Sequence, residues 1–131
     1  MTQIAELFKT ADWKAEKHVP VIEIAGAAKK GQPVAVTVSV GKEIPHPNTT
    51  AHFIAWIDVY FMPAEGKFPC QIGRAEFAAH GASTEGPDTS TVYTAPSATF
   101  VFKTDKPGTI LAMSYCNIHG LWQNSAALAL Q

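Results

Sequence analysis

The sequence predicts an all-β protein, a seven-stranded antiparallel immunoglobulin-like β-sandwich with a short N-terminal helix. Three observations support this prediction. Apolar residues recur at every second position in several stretches, which is the period of a strand with one buried face. Glycine, proline and asparagine separate these stretches and predict turns. Helical spacing of apolar residues is found only at the start of the chain, at Ile4, Leu7 and Phe8.

The strands follow in order from alternation or from short apolar runs. The clearest alternation places the four valines of Val34–Val40 on one face. The run Thr109–Cys116 is almost wholly apolar, as expected for a strand in the middle of a sandwich. The predicted strands are Val19–Ile24, Val34–Val40, Ala51–Met62, Ile72–Ala79, Ala98–Lys103, Thr109–Cys116 and Ser125–Leu130, and Thr91–Thr94 is a candidate for a very short one.

The strand Ala51–Met62 has two different faces. One face is wholly apolar and is predicted to point into the core; it comprises Phe53, Ala55, Ile57, Val59 and Phe61. The other face is mixed and comprises His52, Ile54, Trp56, Asp58 and Tyr60. Aromatic residues on this second face indicate a surface that is covered by a loop or by another subunit.

The composition limits the possible classes of protein. A chain of 131 residues predicts a single domain, 1–131, with a substantial core. Charged residues make up only 16%, below the usual quarter, which favours a surface partly covered by identical subunits. A net charge of -1 gives no reason to expect nucleic acid. The chain has neither a long apolar run nor a signal-peptide pattern at its start, so no membrane span and a cytoplasmic location are expected.

Two cysteines are too few for a disulfide framework. In a reducing compartment, Cys70 and Cys116 are expected to be free or metal-bound. Cys70 lies in no recognisable ligand motif and is interpreted as a structural thiol.

A thiol and an imidazole stand three positions apart in Cys116-Asn117-Ile118-His119, at the end of an apolar run and before Gly120. Such a pair is a common half of a metal site, because a tight turn lets both side chains reach one ion. Three further histidines lie at the ends or bends of predicted strands, namely His18, His46 and His52. The fifth, His80, lies in a loop and is interpreted as a non-ligand.

Several kinds of site remain possible on these residues. A structural zinc site usually contains more cysteines, and a zinc enzyme needs only three protein ligands. A blue-copper electron carrier needs two histidines, one cysteine and usually an axial methionine after the last histidine, but no methionine follows His119. Four imidazoles with one thiolate suit a redox metal better. A binding module without metal would leave the five donors as coincidence.

Three motifs together resemble the superoxide reductases, specifically the one-iron neelaredoxin type of the desulfoferrodoxin family. They are Glu16-Lys17-His18-Val19-Pro20, Ile44-Pro45-His46-Pro47-Asn48-Thr49-Thr50-Ala51-His52 and Tyr115-Cys116-Asn117-Ile118-His119-Gly120-Leu121-Trp122. The resemblance extends over essentially the whole chain. It implies reduction of superoxide to hydrogen peroxide at one iron ion, without formation of dioxygen.

The resemblance also implies a role for each site residue. The equatorial ligands would be His18, His46, His52 and His119, and the axial ligand would be the Cys116 thiolate. Glu16 would be the sixth ligand of the ferric ion, and Lys17 would lie over the open position and attract superoxide. The backbone N–H groups of Ile118 and His119 would donate hydrogen bonds to the sulfur.

The partners also follow from the resemblance. The chain lacks the cysteines of the extra iron domain that larger members of the family carry, so a separate donor, a rubredoxin, would supply the electron. The resemblance implies a homotetramer. Lys14 and Lys42 adjoin ligand segments, but ordinary solvated charge is the favoured interpretation of both.

Overall fold

The structure, a computed structural model, describes all 131 residues. It contains one helix, α1 Ile4–Leu7, and seven strands: β1 Val21–Ala25, β2 Val34–Ser39, β3 Ile54–Pro63, β4 Cys70–Glu76, β5 Ser97–Phe102, β6 Gly108–Cys116 and β7 Gly120–Leu128. All strand pairs are antiparallel, and they form a three-stranded sheet β1-β2-β5 and a four-stranded sheet β4-β3-β6-β7. This order is that of an immunoglobulin-like sandwich, so the predicted fold class is confirmed. No helix is long and apolar enough to cross a membrane.

The core lies between the two sheets. Strand β2 is the middle strand of its sheet, and its four alternating valines (with Val40 just beyond the strand) are buried as predicted. Strand β6 lies inside the other sheet and buries Ile110, Ala112 and Cys116 against them. The alternation of β6 therefore ends by placing the Cys116 side chain at the edge of the core, fully buried.

The predicted apolar face of β3 is correct only in its second half. Ile57, Val59 and Phe61 are buried, but the pairing of β3 with β6 shifts its register between Ile54 and Trp56. One extra residue at this bulge turns the strand by one position, so Ile54 and not Phe53 or Ala55 enters the core. A period-two pattern cannot reveal a bulge, because both halves of the strand alternate normally.

The strand ends also differ from the predictions in several places. β7 begins at Gly120 instead of Ser125, because a tight turn with Gly120 at φ +82° lets it pair with β6 immediately after Cys116. β4 runs over Cys70–Glu76 instead of Ile72–Ala79. Thr91–Thr94 forms no strand, and only an isolated bridge joins Tyr93 to His80.

The topology brings three segments to one end of the sandwich. His18 precedes β1, the 46–53 segment precedes β3, and Cys116 and His119 flank the β6–β7 turn. The first segment is tied to the four-stranded sheet because the Ser114 hydroxyl donates to the His18 carbonyl at 3.3 Å and the Asn124 amide donates to the Pro20 carbonyl at 2.8 Å. The segments before β1 and β3 and the β6–β7 turn therefore bring four of the five histidines and Cys116 to the same end of the sandwich.

Candidate metal centre

Four donor atoms from three segments form a tight cluster. One atom each of His18, His52, Cys116 and His119 lies within 4.8 Å of the others. His119 Nδ1 is 3.1 Å from His18 Nε2, 3.2 Å from His52 Nε2 and 3.7 Å from the Cys116 sulfur. Two nitrogens that bind one ion at about 2.1 Å each, at right angles, lie about 3 Å apart. The spacing therefore fits a single metal ion.

His46 lies beside this four-residue group without being one of its members, so its role as a fifth donor stays a prediction. The centroid of its ring lies 4.8 Å from that of His18 and 4.7 Å from that of His52. Its Nδ1–H donates to the Pro47 carbonyl at 2.7 Å, which leaves Nε2 with the lone pair. That Nε2 is the one buried side-chain nitrogen or oxygen without a hydrogen-bond partner in the protein. A buried lone pair without a partner is costly, and a metal ion would satisfy it.

The thiol is buried and receives a backbone hydrogen bond. Cys116 has no exposed surface and is not in a disulfide. The His119 N–H donates to its sulfur at 3.3 Å, because the turn folds back over Cys116. The Ile118 N–H makes no such bond in this structure, and the Ile118 side chain is 58% exposed. Donation from Ile118 to the sulfur thus stays a prediction.

His18 is held from two sides. Its ring stacks on the Trp122 indole with centroids 5.0 Å apart and planes 14° apart, while the indole N–H donates to the His119 carbonyl at 3.2 Å. Its Nδ1–H donates to the Glu16 carboxylate at 2.7 Å. This contact fixes Nε2 as the nitrogen with the free lone pair, as carboxylates commonly do for metal-binding histidines. Glu16 thus contacts the far side of His18 and lies outside the four-residue donor group.

Two of the four imidazoles, those of His46 and His52, have lowered pKa values. Burial, with smaller contributions from the neighbouring charges of His18, His52 and Lys17, lowers the pKa of His46 to about 4. Burial also lowers the pKa of His52, with smaller contributions from the charges of His119, His18 and Lys17. Neutral imidazole is the form that binds metals. Burial acts to raise the pKa of Glu16, but hydrogen bonds from His18 outweigh it and the net shift is downward.

Asn117 is a structural residue of the site that the sequence did not reveal. Its side-chain carbonyl accepts from the Phe53 N–H at 2.8 Å and its side-chain amide donates to the Ala51 carbonyl at 2.9 Å. Its own N–H donates to the Phe53 carbonyl at 3.2 Å. These bonds fix the backbone on both sides of His52. In the sequence, Asn117 looks like a spacer between two ligands, so no local pattern could have identified this role.

The remaining candidates lie apart from the cluster. Lys42 pairs with Glu23 at 2.7 Å, and the Lys14 ammonium lies 5.6 Å from the centroid of the Trp13 ring, so both behave as surface charges. Cys70 is exposed on β4. His80 is outside the donor group and bonds to other residues.

The donor set is better suited to iron than to blue copper or structural zinc. Four imidazoles and one thiolate exceed the two histidines and one cysteine of a copper carrier, and no methionine follows His119 in the sequence. A structural zinc site closes with four ligands and usually several cysteines. The blue-copper alternative is therefore not supported by this site.

The desulfoferrodoxin family model matches residues 10–125 of the chain. A superoxide reductase from Pyrococcus furiosus is 57% identical over 125 residues, which cover 95% of this chain and 98% of the relative. A solved structure of superoxide reductase (neelaredoxin) from Archaeoglobus fulgidus in the reduced form has a TM-score of 0.90 and 64% identity, covering 95% of this chain and 99% of that one. A crystal structure of a Thermotoga maritima protein has a TM-score of 0.95 and 50% identity, covering 100% and 99%.

Proposed function

The chain belongs to the desulfoferrodoxin family, within its one-iron neelaredoxin type, and from this premise we propose that it is a superoxide reductase. The reaction consumes one superoxide, one electron and two protons and releases one hydrogen peroxide, without forming dioxygen. The observation that carries this proposal is the convergence of four imidazoles and one buried thiol at one end of the sandwich. These donors come from three separate segments, so chance proximity within one turn does not explain them.

We assign one iron ion per chain to this cluster, held by His18, His46, His52, His119 and Cys116. When bound, iron would supply the one-electron couple and an open position for superoxide. The protein contributes neutral imidazoles, since burial lowers the pKa of His46 and His52 and leaves their lone pairs free for the metal. It also contributes a buried sulfur whose electron density is moderated by the hydrogen bond from the His119 N–H.

Lys17 is proposed to attract the substrate. Its side chain is partly exposed and adjoins His18 in the sequence. Its charge is among those that lower the pKa of His46, His52 and Glu16, so its field reaches the cluster. Superoxide is an anion, and a cation beside the site raises its local concentration and its rate of capture. This argument supports Lys17 as a residue that steers superoxide to the site.

Glu16 is proposed to have two roles, as the hydrogen-bond partner of His18 and as a ligand of the oxidised iron. In this structure its carboxylate accepts from His18 Nδ1 at 2.7 Å and from the His18 backbone N–H at 3.1 Å. There it orients His18 and holds the tautomer that leaves Nε2 free. The family resemblance implies that the same carboxylate would also be a ligand of the oxidised ion.

The electron donor, the location and the assembly are further parts of the proposal. A separate rubredoxin-like donor and a cytoplasmic location are proposed from the family resemblance alone. A homotetramer is supported by the low charged fraction and by a cavity of about 410 Å³ on the outer side of the four-stranded sheet. Tyr60, Leu111 and Met113 line that cavity and give it an apolar character.

The experiment that tests the function is the change Cys116→Ser, compared with the wild type and with Cys70→Ser as the matched control. Wild type and Cys70→Ser should contain about one iron per chain and show a thiolate-to-iron absorption band, because Cys70 is exposed and outside the donor group. Cys116→Ser should lose the band and the reductase activity. A band that survives in Cys116→Ser would refute the assignment of this thiolate.

A further inference from the structure

The connection between β4 and β5, residues 77–96, is long and contains no strand. Connections of this length in compact domains usually have a function of their own. This one is internally bonded: two bonds join Ser83 and Gly86, and the Gly81 carbonyl accepts from the Thr89 N–H at 2.9 Å. It is an ordered segment that the donor cluster does not use.

The 77–96 connection contacts the segment that carries two of the donors, residues 46–53, which we call the ligand loop. The Asp88 carboxylate accepts from the Thr50 N–H at 2.8 Å. The Asn48 side-chain amide donates to the Thr94 carbonyl at 2.5 Å and its carbonyl faces His80 Nδ1 at 2.7 Å. Thr50 and Asn48 lie between the two donors, His46 and His52, so these contacts fix the middle of the loop.

His80 is the centre of this interface. Its ring stacks on Phe53, the residue after His52, with centroids 3.8 Å apart and planes 15° apart. Its second nitrogen, Nε2, lies 2.6 Å from the Phe77 carbonyl, so the ring joins the base of the 77–96 connection to the ligand loop. Because Asn48 donates to Thr94, the Asn48 atom that faces His80 is an acceptor. A neutral imidazole carries one N–H, so His80 donates to one of these two acceptors, the Asn48 side-chain carbonyl or the Phe77 carbonyl, and an apolar residue could donate to neither.

None of these contacts uses a donor atom of the metal cluster. They hold the middle of the ligand loop at Asn48 and Thr50, whereas Asn117 bonds the backbone on either side of His52. A loop held at several points loses little conformational freedom when an ion binds, and such preorganisation increases affinity. Residues outside the ligand set that orient metal ligands commonly change metal affinity by roughly 10–100-fold.

We propose that His80 and Asp88 are positioning residues, through which the 77–96 connection holds His46 and His52 in place for the metal. This inference rests on the proposed function for the identity of the ion, but the preorganisation itself belongs to the metal-free protein. His80 matches no ligand motif in the sequence. In this proposal it positions His46 and His52 without binding the metal itself.

Two variants and one control test the proposal. His80→Ala removes the ring, and Asp88→Gly removes the side chain that carries the carboxylate, at a position with φ +59°, which glycine adopts readily. Val92→Ala is the matched control, since this side chain is in the same connection and is 71% exposed. Amide hydrogen exchange in the metal-free proteins reports the ligand loop directly. The rate of iron transfer to a strong chelator, followed by the loss of the visible band, reports the loaded site.

In both variants, amides of Thr49, Thr50 and His52 should exchange about tenfold faster than in the control, while amides of β2 keep their wild-type rates. Iron transfer to the chelator should also be about tenfold faster. Wild-type rates in both measurements would overturn the proposal. If His80→Ala does not fold, Asp88→Gly alone decides. If the wild type binds no iron, the proposed function fails, and the exchange rates still decide whether the loop is held in this way.

Discussion

Removing the Asn117 side chain gives the sharpest test of how the site is held together. Asn117→Ala deletes two hydrogen bonds, from the Phe53 N–H at 2.8 Å and to the Ala51 carbonyl at 2.9 Å. A net hydrogen bond contributes about 0.5–1.5 kcal/mol, and since Asn117 is exposed, water replaces part of the loss. We therefore expect the metal-free protein to lose about 1–2 kcal/mol of unfolding free energy. For a chain of this length, that corresponds to roughly 4–8 °C in Tm.

The assay is urea unfolding of metal-free protein, because a bound ion would add stability by mass action and hide the effect. Asn117→Asp is the comparison variant, since it keeps an acceptor for the Phe53 N–H but replaces the donor to the Ala51 carbonyl by a charged acceptor; it should therefore be less stable than the wild type. Iron affinity should also fall by roughly tenfold in Asn117→Ala, because the backbone around His52 is no longer fixed. Wild-type unfolding and wild-type affinity together would refute the reasoning.

Three other changes have defined outcomes. Lys17→Ala should slow the bimolecular reaction with superoxide and weaken its dependence on ionic strength, measured by pulse radiolysis at several salt concentrations; an unchanged salt slope would exclude steering by this residue. Glu16→Ala should change the spectrum of the oxidised protein and weaken iron binding, because His18 loses its partner; identical spectra and chelator competition would show that the carboxylate does neither. Acid should destabilise the metal-free protein: the pKa of His46 is lowered from 6.5 to about 4, so the unfolded chain binds more protons and stability falls as pH drops through that window. Urea unfolding between pH 7 and pH 4 measures this, and replacing His46 with Gln should flatten the profile.

The convergence of the histidines with Cys116 was predictable from the sequence, because only a few residue types can serve as the proposed metal ligands. Cys116 and His119 stand at a spacing that a turn can close, and histidines are rare enough for the three others to attract attention. The alternating valines of β2 and the apolar run of β6 likewise predicted buried strands, because burial requires apolar residues at positions that can be recognised in the sequence.

What the sequence concealed are the contacts that depend on tertiary structure. Asn117 and His80 hold the ligand loop through bonds between residues far apart in the chain, and asparagine and histidine serve many local purposes. The bulge near Ala55 was hidden because each half of β3 alternates normally. The early start of β7 was hidden because polar Gln123, Asn124 and Ser125 follow the buried Trp122 and interrupt the apolar pattern.

The most direct test of the central claim is the stoichiometry of one turnover. The reduced protein is mixed with superoxide in the absence of any other donor, and hydrogen peroxide, dioxygen and the oxidation of iron are measured together. A superoxide reductase forms one hydrogen peroxide for each superoxide, oxidises one iron and releases no dioxygen, and this is the result we expect. One dioxygen and one hydrogen peroxide for every two superoxides, with the iron still reduced at the end, would show dismutation instead and contradict the account.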